Sequence, residues 1–179
     1  MTLCKLFSMI YLNFEDERID GSINTIIKYL GHLEEAYIID KIRPHSRRTK
    51  SELLYYFKLY DADVALNSLY VVDGRYDLTH NLENIVYNEL IYRGYQLEVY
   101  DGEGGEVDFV AMRDGKKYYI QVAYSVAEEK AYNREFDALN SLDNAARKLL
   151  ITNDEIDYST STVTHLKLPD FLMMETLEG

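Results

Sequence analysis

Residues 82–123 read LENIVYNELIYRGYQLEVYDGEGGEVDFVAMRDGKKYYIQVA, and this stretch decides the fold. Apolar residues recur at helical spacing from Leu82 to Arg93, and Gly94 suits the position after a helix end. Three alternating apolar runs follow, the last two joined by Asp114-Gly115, a pair typical of tight hairpins. The stretch therefore predicts a helix capped by Thr79 or Asn81, then a meander of three strands.

Three polar residues stand out because each lies on a different predicted element of this unit. Glu83 is near the start of the helix, Asp108 is on the second strand, and Gln121 is on the third strand. Carboxylate and amide oxygens are ligands that Mg²⁺ accepts, usually together with waters and phosphate oxygens. We expect these three side chains to converge, with Glu83 and Asp108 as weak metal ligands and Mg²⁺ as the one cofactor to consider.

The elements after this unit alternate between helix and strand. The pattern predicts a helix over 128–142, with Ala131, Phe136 and Leu139 facing inward, strands over 147–152 and 163–168, and a last short helix from Pro169. The fold class predicted for the chain is α/β in the broad sense (α+β), a mixed sheet flanked by helices.

The charge of the chain is unevenly distributed along its 179 residues. The net charge is −12; residues 1–75 carry ten Lys/Arg and eleven Asp/Glu, whereas residues 76–179 carry nine and twenty. The second half should therefore repel a phosphate backbone. One cysteine excludes an internal disulfide, and no apolar run has the length of a membrane span, so we expect a cytoplasmic protein without membrane contact.

The first half predicts a winged-helix-like unit. A helix from Ser22 to Tyr37 is followed by predicted strands over 38–42 and 53–59. A turn that begins at Pro44 lies between these strands. In this turn or directly before it lies the one concentrated basic patch of the chain: Arg43, Arg47, Arg48 and Lys50. Such a patch fits a wing on a DNA backbone or on an acidic partner, but also an ordinary solvated turn.

Other features complete the division of the chain. Residues 3–12 predict a short helix, residues 61–69 a helical connector, and residues 72–75 a turn suited to a domain boundary. We therefore expect a winged-helix-like domain with its connector over 1–75 and a second domain over 76–179.

The second domain resembles the restriction-endonuclease-like PD-(D/E)XK superfamily. That pattern has Glu on a first helix, Asp on a strand, and Glu-x-Lys on the next strand, and residues 83–123 follow its order and spacing. More specifically, residues 22–175 resemble the C-terminal region of a prokaryotic and archaeal AAA-type ATPase family, in which a winged helix precedes a nuclease-like domain. The blocks that carry this likeness are residues 29–37, 63–66, 82–90, 93–95, 106–110, 119–125, 134–136 and 143–144.

Two departures from the nuclease pattern determine the predicted function. Gln121 replaces the third acid, and Ala123 stands where the pattern has lysine; Lys116 and Lys117, at the hairpin, are too far away to replace it. Each loss removes electrostatic stabilisation from the transition state. The pattern thus favours a non-catalytic binding or regulatory region, whose partner is an ATPase domain or another protein.

Two alternatives remain open. One is a divergent Mg²⁺-dependent DNA endonuclease that uses Glu83, Asp108 and Gln121, and the other is DNA binding through the N-terminal wing alone. The sequence contains no phosphate-binding loop of the Gly-x-x-x-x-Gly-Lys-Ser/Thr type, so this chain is not itself an ATPase of that class.

Overall fold

The computed structural model of the chain describes residues 23–42, 44–45, 57–66, 78–102 and 105–178. Within them the elements in order are α1 (Ile23–Glu35), β1 (Ile39–Ile42), β2 (Pro44–His45), β3 (Lys58–Asp61), α2 (Leu78–Tyr92), β4 (Gln96–Gly102), β5 (Gly105–Arg113), β6 (Lys116–Val122), α3 (Glu129–Asn140), β7 (Arg147–Thr152), β8 (Val163–Lys167) and α4 (Leu168–Met173). This is a mixed α+β fold, as the sequence predicts.

A six-stranded mixed sheet forms the framework, in the order β2-β4-β5-β6-β7-β8. Strands β4, β5 and β6 form an antiparallel meander, and β7 and β8 then continue the sheet in parallel. Asp114 and Gly115 both have positive φ, 51° and 76°, which is the backbone of the tight hairpin turn that joins β5 to β6. Gly94 has a φ of 79° just after α2, as a helix-ending glycine should.

Helices cover both faces of the sheet because its strands are apolar on both sides. Residues alternate between the two faces with a period of two. One core lies between the sheet and the α2 and α4 side, where Val86, Leu90 and Phe171 pack against Phe109 and Ile120. The other core lies under α3, where Phe136 and Leu139 are buried. Ala131, which the pattern also turned inward, is half-buried.

The N-terminal part contributes a two-stranded sheet in which β1 and β3 pair antiparallel. One face of this hairpin packs on α1, in a small cluster that includes Ile26, Leu30 and Leu59. The opposite face contributes Ile42 and Tyr60 to the large core beside α2. The hairpin therefore lies between α1 and the main sheet.

Several boundaries differ from the sequence predictions. Pro44 and His45, predicted to begin a turn, pair in parallel with Val99 and Tyr100 as an edge strand. Helix α2 begins at Leu78, so the predicted caps Thr79 and Asn81 lie inside its first turns. The strand predicted over 53–59 occupies Lys58–Asp61 in the part that the structure describes.

Other segments match their predictions closely or cannot be compared. Strand β7 has the predicted bounds, and the predicted connector contains one helical turn at residues 64–66. The helix predicted over 3–12 and the boundary predicted at 72–75 lie outside the described residues. In the described part of the chain, no helix combines the length and apolar character needed to span a membrane.

Candidate functional site

Glu83, Asp108 and Gln121 converge at one place on the sheet, as the sequence predicts. Strands β5 and β6 pair with Phe109 opposite Ile120, which makes residues 108 and 121 neighbours across the strand pair. The backbone N–H of Asp108 donates to Oε1 of Gln121 (3.2 Å), and the backbone N–H of Val122 donates to Oδ2 of Asp108 (2.9 Å). Helix α2 contributes Glu83 to the same place, and all three side chains are buried.

A lysine that the nuclease pattern does not include lies at the centre of this cluster. The Nζ atom of Lys58, on β3, is 2.9 Å from Oε1 of Glu83, 2.7 Å from Oδ1 of Asp108 and 2.7 Å from Oε1 of Glu106. The Lys58 side chain is only 5% exposed. The cluster therefore contains a fixed internal cation bound to three carboxylates.

The alternation of strand β3 explains why Lys58 points into the site. Phe57 and Leu59 face the small cluster under α1, so Lys58 and Tyr60 face the other way, toward α2 and β5. The Tyr60 hydroxyl donates a short hydrogen bond to Oε1 of Glu83. A single lysine at an alternate position of an otherwise apolar strand was the sequence signal for this residue.

This arrangement corrects one part of the sequence prediction. Ala123 is buried and supplies no cation, as expected, but the site does not lack a lysine, because β3 supplies one from outside the predicted nuclease-like domain. Lys116 instead pairs with Glu178, and Lys117 lies over the Tyr119 ring, so neither reaches the cluster.

Gln121 acts as a bridge within the protein. Its Oε1 accepts from the Asp108 backbone, while its Nε2 donates to Oε2 of Glu135 on α3 (2.6 Å). Only this orientation of the amide satisfies both partners, because a backbone N–H needs an acceptor and a carboxylate needs a donor. The Glu135 carboxylate is also paired with Arg134, whose side chain is 73% exposed. Sequence reasoning missed both Glu135 and Arg134.

The protonation states follow from burial and from the neighbouring charges. Burial opposes charging of Lys58, but Asp108, Glu83 and Glu106 outweigh it and raise the pKa of the lysine above its ordinary value. Burial raises the pKa of Asp108 to about 7, and the charge of Glu83 adds to this against the effect of Lys58. Burial acts in the same way on Glu83, but Lys58 and the Tyr60 hydrogen bond lower its pKa below its ordinary value. Lys58 is thus a permanent cation rather than a base.

A cavity of about 390 Å³ opens beside the cluster. Its wall includes Glu83, Glu106, Asp108, Gln121 and Glu135, together with the following residues of α2, β5, β6 and α3: Thr79, Gly105, Val122, Arg134, Asp137 and Ala138. Five carboxylates and one guanidinium line it, so the cavity is acidic.

A second, smaller cavity of about 230 Å³ adjoins the first. The two share Thr79 and Arg134, and the second extends past Ala123, Tyr124 and Ser125 toward the start of α3. The two cavities therefore lie side by side, the larger at the carboxylate cluster and the smaller past the end of β6.

The predicted metal ligands, Glu83 and Asp108, lie close together, but Oε1 of Glu83 and both carboxylate oxygens of Asp108 are engaged by protein donors. Lys58 and Tyr60 bond to Oε1 of Glu83, while Lys58 and Val122 bond to the two oxygens of Asp108. Among residues 23–42, 44–45, 57–66, 78–102 and 105–178, no group of three or more His, Cys, Asp or Glu side chains has an arrangement that could hold a metal ion.

The predicted DNA-contacting side chains, Arg43, Arg47, Arg48 and Lys50, lie outside the described part of the structure. Their role as a wing stays a prediction.

Comparison with known proteins places the second half of the chain in a family. Residues 79–171 match the family described as "Domain of unknown function (DUF4143)". The chain is also similar to an uncharacterized protein of Haemophilus influenzae, with 33% identity over 136 residues that cover 76% of this chain and 33% of the relative. The match thus spans about a third of the length of that relative. No solved structure shows a significant match to the chain. The chain belongs to the DUF4143 family of domains.

Proposed function

We propose that this chain is a non-catalytic binding or regulatory region, in which a nuclease-like domain has exchanged its metal site for an internal salt-bridge cluster. The observation that carries the proposal is the Lys58 ammonium, which lies within 2.9 Å of oxygens from Glu83, Asp108 and Glu106. In this proposal the carboxylates that would hold Mg²⁺ in a nuclease instead neutralise a lysine of the same chain.

The first argument concerns space and charge. Mg²⁺ needs oxygen ligands at about 2.0–2.1 Å in near-octahedral geometry, and it retains waters. An ammonium group already occupies the point where the three carboxylates meet, and two cations at such short range repel strongly in a buried site. Binding of Mg²⁺ to Glu83 and Asp108 would therefore require Lys58 to leave.

The second argument concerns the chemistry of hydrolysis. A metal-dependent phosphodiesterase needs an activated water and charge stabilisation at the phosphate. Lys58 cannot take a proton because its carboxylate partners keep it charged. The Gln121 oxygen already accepts a hydrogen bond from the Asp108 backbone, and its neutral amide carries no negative charge to attract a metal ion.

The third argument concerns the substrate. The cavity next to the cluster is lined by five carboxylates and one guanidinium. Such a surface repels a phosphate backbone and suits a basic or neutral protein partner. The match to only 33% of a longer relative supports a role within, or alongside, a larger protein. Because of the resemblance to AAA-type ATPases, we propose an ATPase domain as the partner.

A divergent Mg²⁺-dependent DNA endonuclease is the second candidate, and one observation favours it. Lys58 lies beside Asp108, where it could act as the transition-state cation that the sequence pattern lacked. In this alternative, Lys58 would release the carboxylates when metal and DNA bind together.

DNA cleavage separates the two candidates. Plasmid and branched DNA are incubated with Mg²⁺ or Mn²⁺ and either the wild-type protein or the double variant Glu83→Ala, Asp108→Ala. We expect DNA cleavage to stay at the background level with both proteins. Cleavage by the wild type that disappears in the double variant would refute the non-catalytic proposal and establish the endonuclease.

A further inference from the structure

A second buried titratable group lies at the far edge of the sheet, away from the carboxylate cluster. His165 on β8 is buried, and its Nε2 is 2.8 Å from Oγ1 of Thr152 on β7. Its Nδ1 lies 3.2 Å from the backbone nitrogen of Tyr158. A backbone N–H can only donate, so Nδ1 accepts, and the proton of the neutral ring is on Nε2, from which it is donated to Thr152.

The ring has an alternative partner for the case in which it gains a proton. Oδ1 of Asp157 is 3.6 Å from Nδ1, just beyond hydrogen-bonding distance. A protonated Nδ1 would face the Tyr158 N–H as donor against donor, and the Asp157 carboxylate would be the favourable new acceptor. Protonation therefore exchanges a bond to the backbone for an ion pair.

Further hydrogen bonds connect Thr152 to the wall of the smaller cavity. Oγ1 of Thr152 also accepts from the backbone N–H of Asp154 (3.0 Å). The Asp154 carboxylate in turn accepts from the Ser125 hydroxyl (2.6 Å) and from the Val126 backbone (2.7 Å). Ser125 lines the smaller cavity. The state of His165 is thus connected to the position of Ser125 by three consecutive hydrogen-bonded steps.

A ring contact makes a second connection, to α3. The Tyr158 ring lies edge-on to His165 at 5.6 Å and 6.1 Å from the Tyr132 ring, which stacks on Phe136. Displacement of Tyr158 would therefore change the packing of the helix that carries Arg134 on the shared wall of both cavities.

We propose that His165 is a pH-sensitive switch: the neutral ring holds residues 153–162 closed, and the protonated ring releases Tyr158 and loosens the wall of the smaller cavity. This proposal does not depend on the proposed function, because it concerns a histidine on the edge strand β8 and not the cluster on the interior strands β5 and β6.

The direction of the pH effect follows from the groups around the ring. Burial lowers the pKa of His165 below its ordinary value of 6.5; Asp157 and Asp154 act against burial, and Lys167 on the same strand acts with it. His165 therefore binds a proton more readily when residues 153–162 are open than when they are closed. The closed state is fully favoured above about pH 6.5 and loses free energy as the pH falls below that value.

The test is nuclear magnetic resonance combined with hydrogen exchange. The imidazole ¹⁵N shifts at pH 7.5 should show the Nε2–H form of His165. Protection of the amides of residues 153–162, corrected for intrinsic exchange, should fall between pH 7.5 and pH 5.5, by at most about tenfold. In His165→Asn, whose amide oxygen can still accept from Tyr158 but which does not titrate, this fall should be absent. His32→Asn, at an exposed histidine, should behave like the wild type.

Two results would overturn the proposal: a proton on Nδ1 of the wild-type ring at pH 7.5, or equal loss of protection in the wild type and His165→Asn. A second variant, Asp157→Asn, keeps the test decisive if the first does not fold. Because Asp157 raises the pKa of His165 in the closed state, its replacement should lower that pKa further, and the fall in protection of residues 153–162 between pH 7.5 and pH 5.5 should be larger than in the wild type. A fall equal to that of the wild type would also overturn the switch.

Discussion

Lys58 places a buried ammonium among the side chains of Glu83, Glu106 and Asp108. Lys58, Glu83 and Asp108 would each be unstable alone, since an unpaired buried charge costs several kcal/mol, whereas the Glu106 side chain is 35% exposed. The ammonium and the carboxylates therefore stabilise one another. Removal of the one cation would leave like charges in contact, and removal of one acid would leave the cation with two partners.

The residue-scale prediction concerns the replacement of this cation. Lys58→Met keeps most of the side-chain volume but removes the charge, and we expect the free energy of unfolding at pH 7 to fall by about 3–5 kcal/mol. Lys41→Met is the matched control on the same hairpin, because Lys41 pairs with the more exposed Glu34; it should cost at most about 1 kcal/mol. Urea denaturation measures both. Equal, small losses in the two variants would show that the cluster does not depend on Lys58.

The sequence predicted part of this site and could not predict the rest. Glu83, Asp108 and Gln121 lie on α2, β5 and β6 of one helix-and-meander unit, so local pattern and sheet pairing were enough to bring them together. Lys58 is 50 residues before Asp108 in the chain, and no local rule indicates that β3 packs against β5 there. Glu135 was missed because α3 follows the residues that carry the nuclease pattern, and its contact with the Gln121 amide depends on how α3 packs on the sheet.

At the scale of elements, the β1–β3 hairpin is attached to α2 by specific polar contacts. Asn84 on α2 accepts from the backbone N–H of Asp61 and donates to its carbonyl oxygen, both at 2.9 Å, as a neighbouring strand would. Tyr60 stacks on Tyr87 with ring centroids 4.2 Å apart. These contacts fix the position of β3 against α2 and hence the position of Lys58.

The element-scale prediction is that Asn84→Ala weakens this attachment. The change leaves both backbone groups of Asp61 without this partner, so we expect a loss of about 2–3 kcal/mol in urea denaturation and faster amide exchange in residues 57–62. Asn88→Ala, which removes longer bonds from the next turn of α2 to Asp61 and Ala62, is the control and should have a smaller effect. Unchanged exchange in Asn84→Ala would mean that apolar packing alone positions the hairpin.

Element types were predictable from the sequence where the periodic pattern is long. Helix α2, the meander and β7 follow from their own residues. Strand β2 was not predictable, because two residues acquire strand geometry only through pairing with β4. The end of β3 at Asp61 coincides with its hydrogen bonds to Asn84 of α2, a contact that no local signal indicates.

At the scale of the whole molecule, one core includes residues from both halves of the sequence. Ile42 and Tyr60 of the N-terminal part lie in the same cluster as Val86, Phe109 and Phe171. The main site is likewise shared, since β3 provides the cation and α2 and β5 provide the acids. The net charge of −12 and the five carboxylates that line the larger cavity support our proposal of a protein partner rather than a nucleic acid.

The most direct test of the central claim, that Lys58 has taken the place of a metal ion, is a calorimetric titration with Mn²⁺. Wild-type protein and Asp108→Asn are titrated to millimolar metal at pH 7 under identical conditions. The account predicts no saturable binding in the wild type and the same weak heats in the variant, because the oxygens of Asp108 are bound to Lys58 and to the Val122 backbone. Saturable Mn²⁺ binding by the wild type that is lost in Asp108→Asn would contradict it.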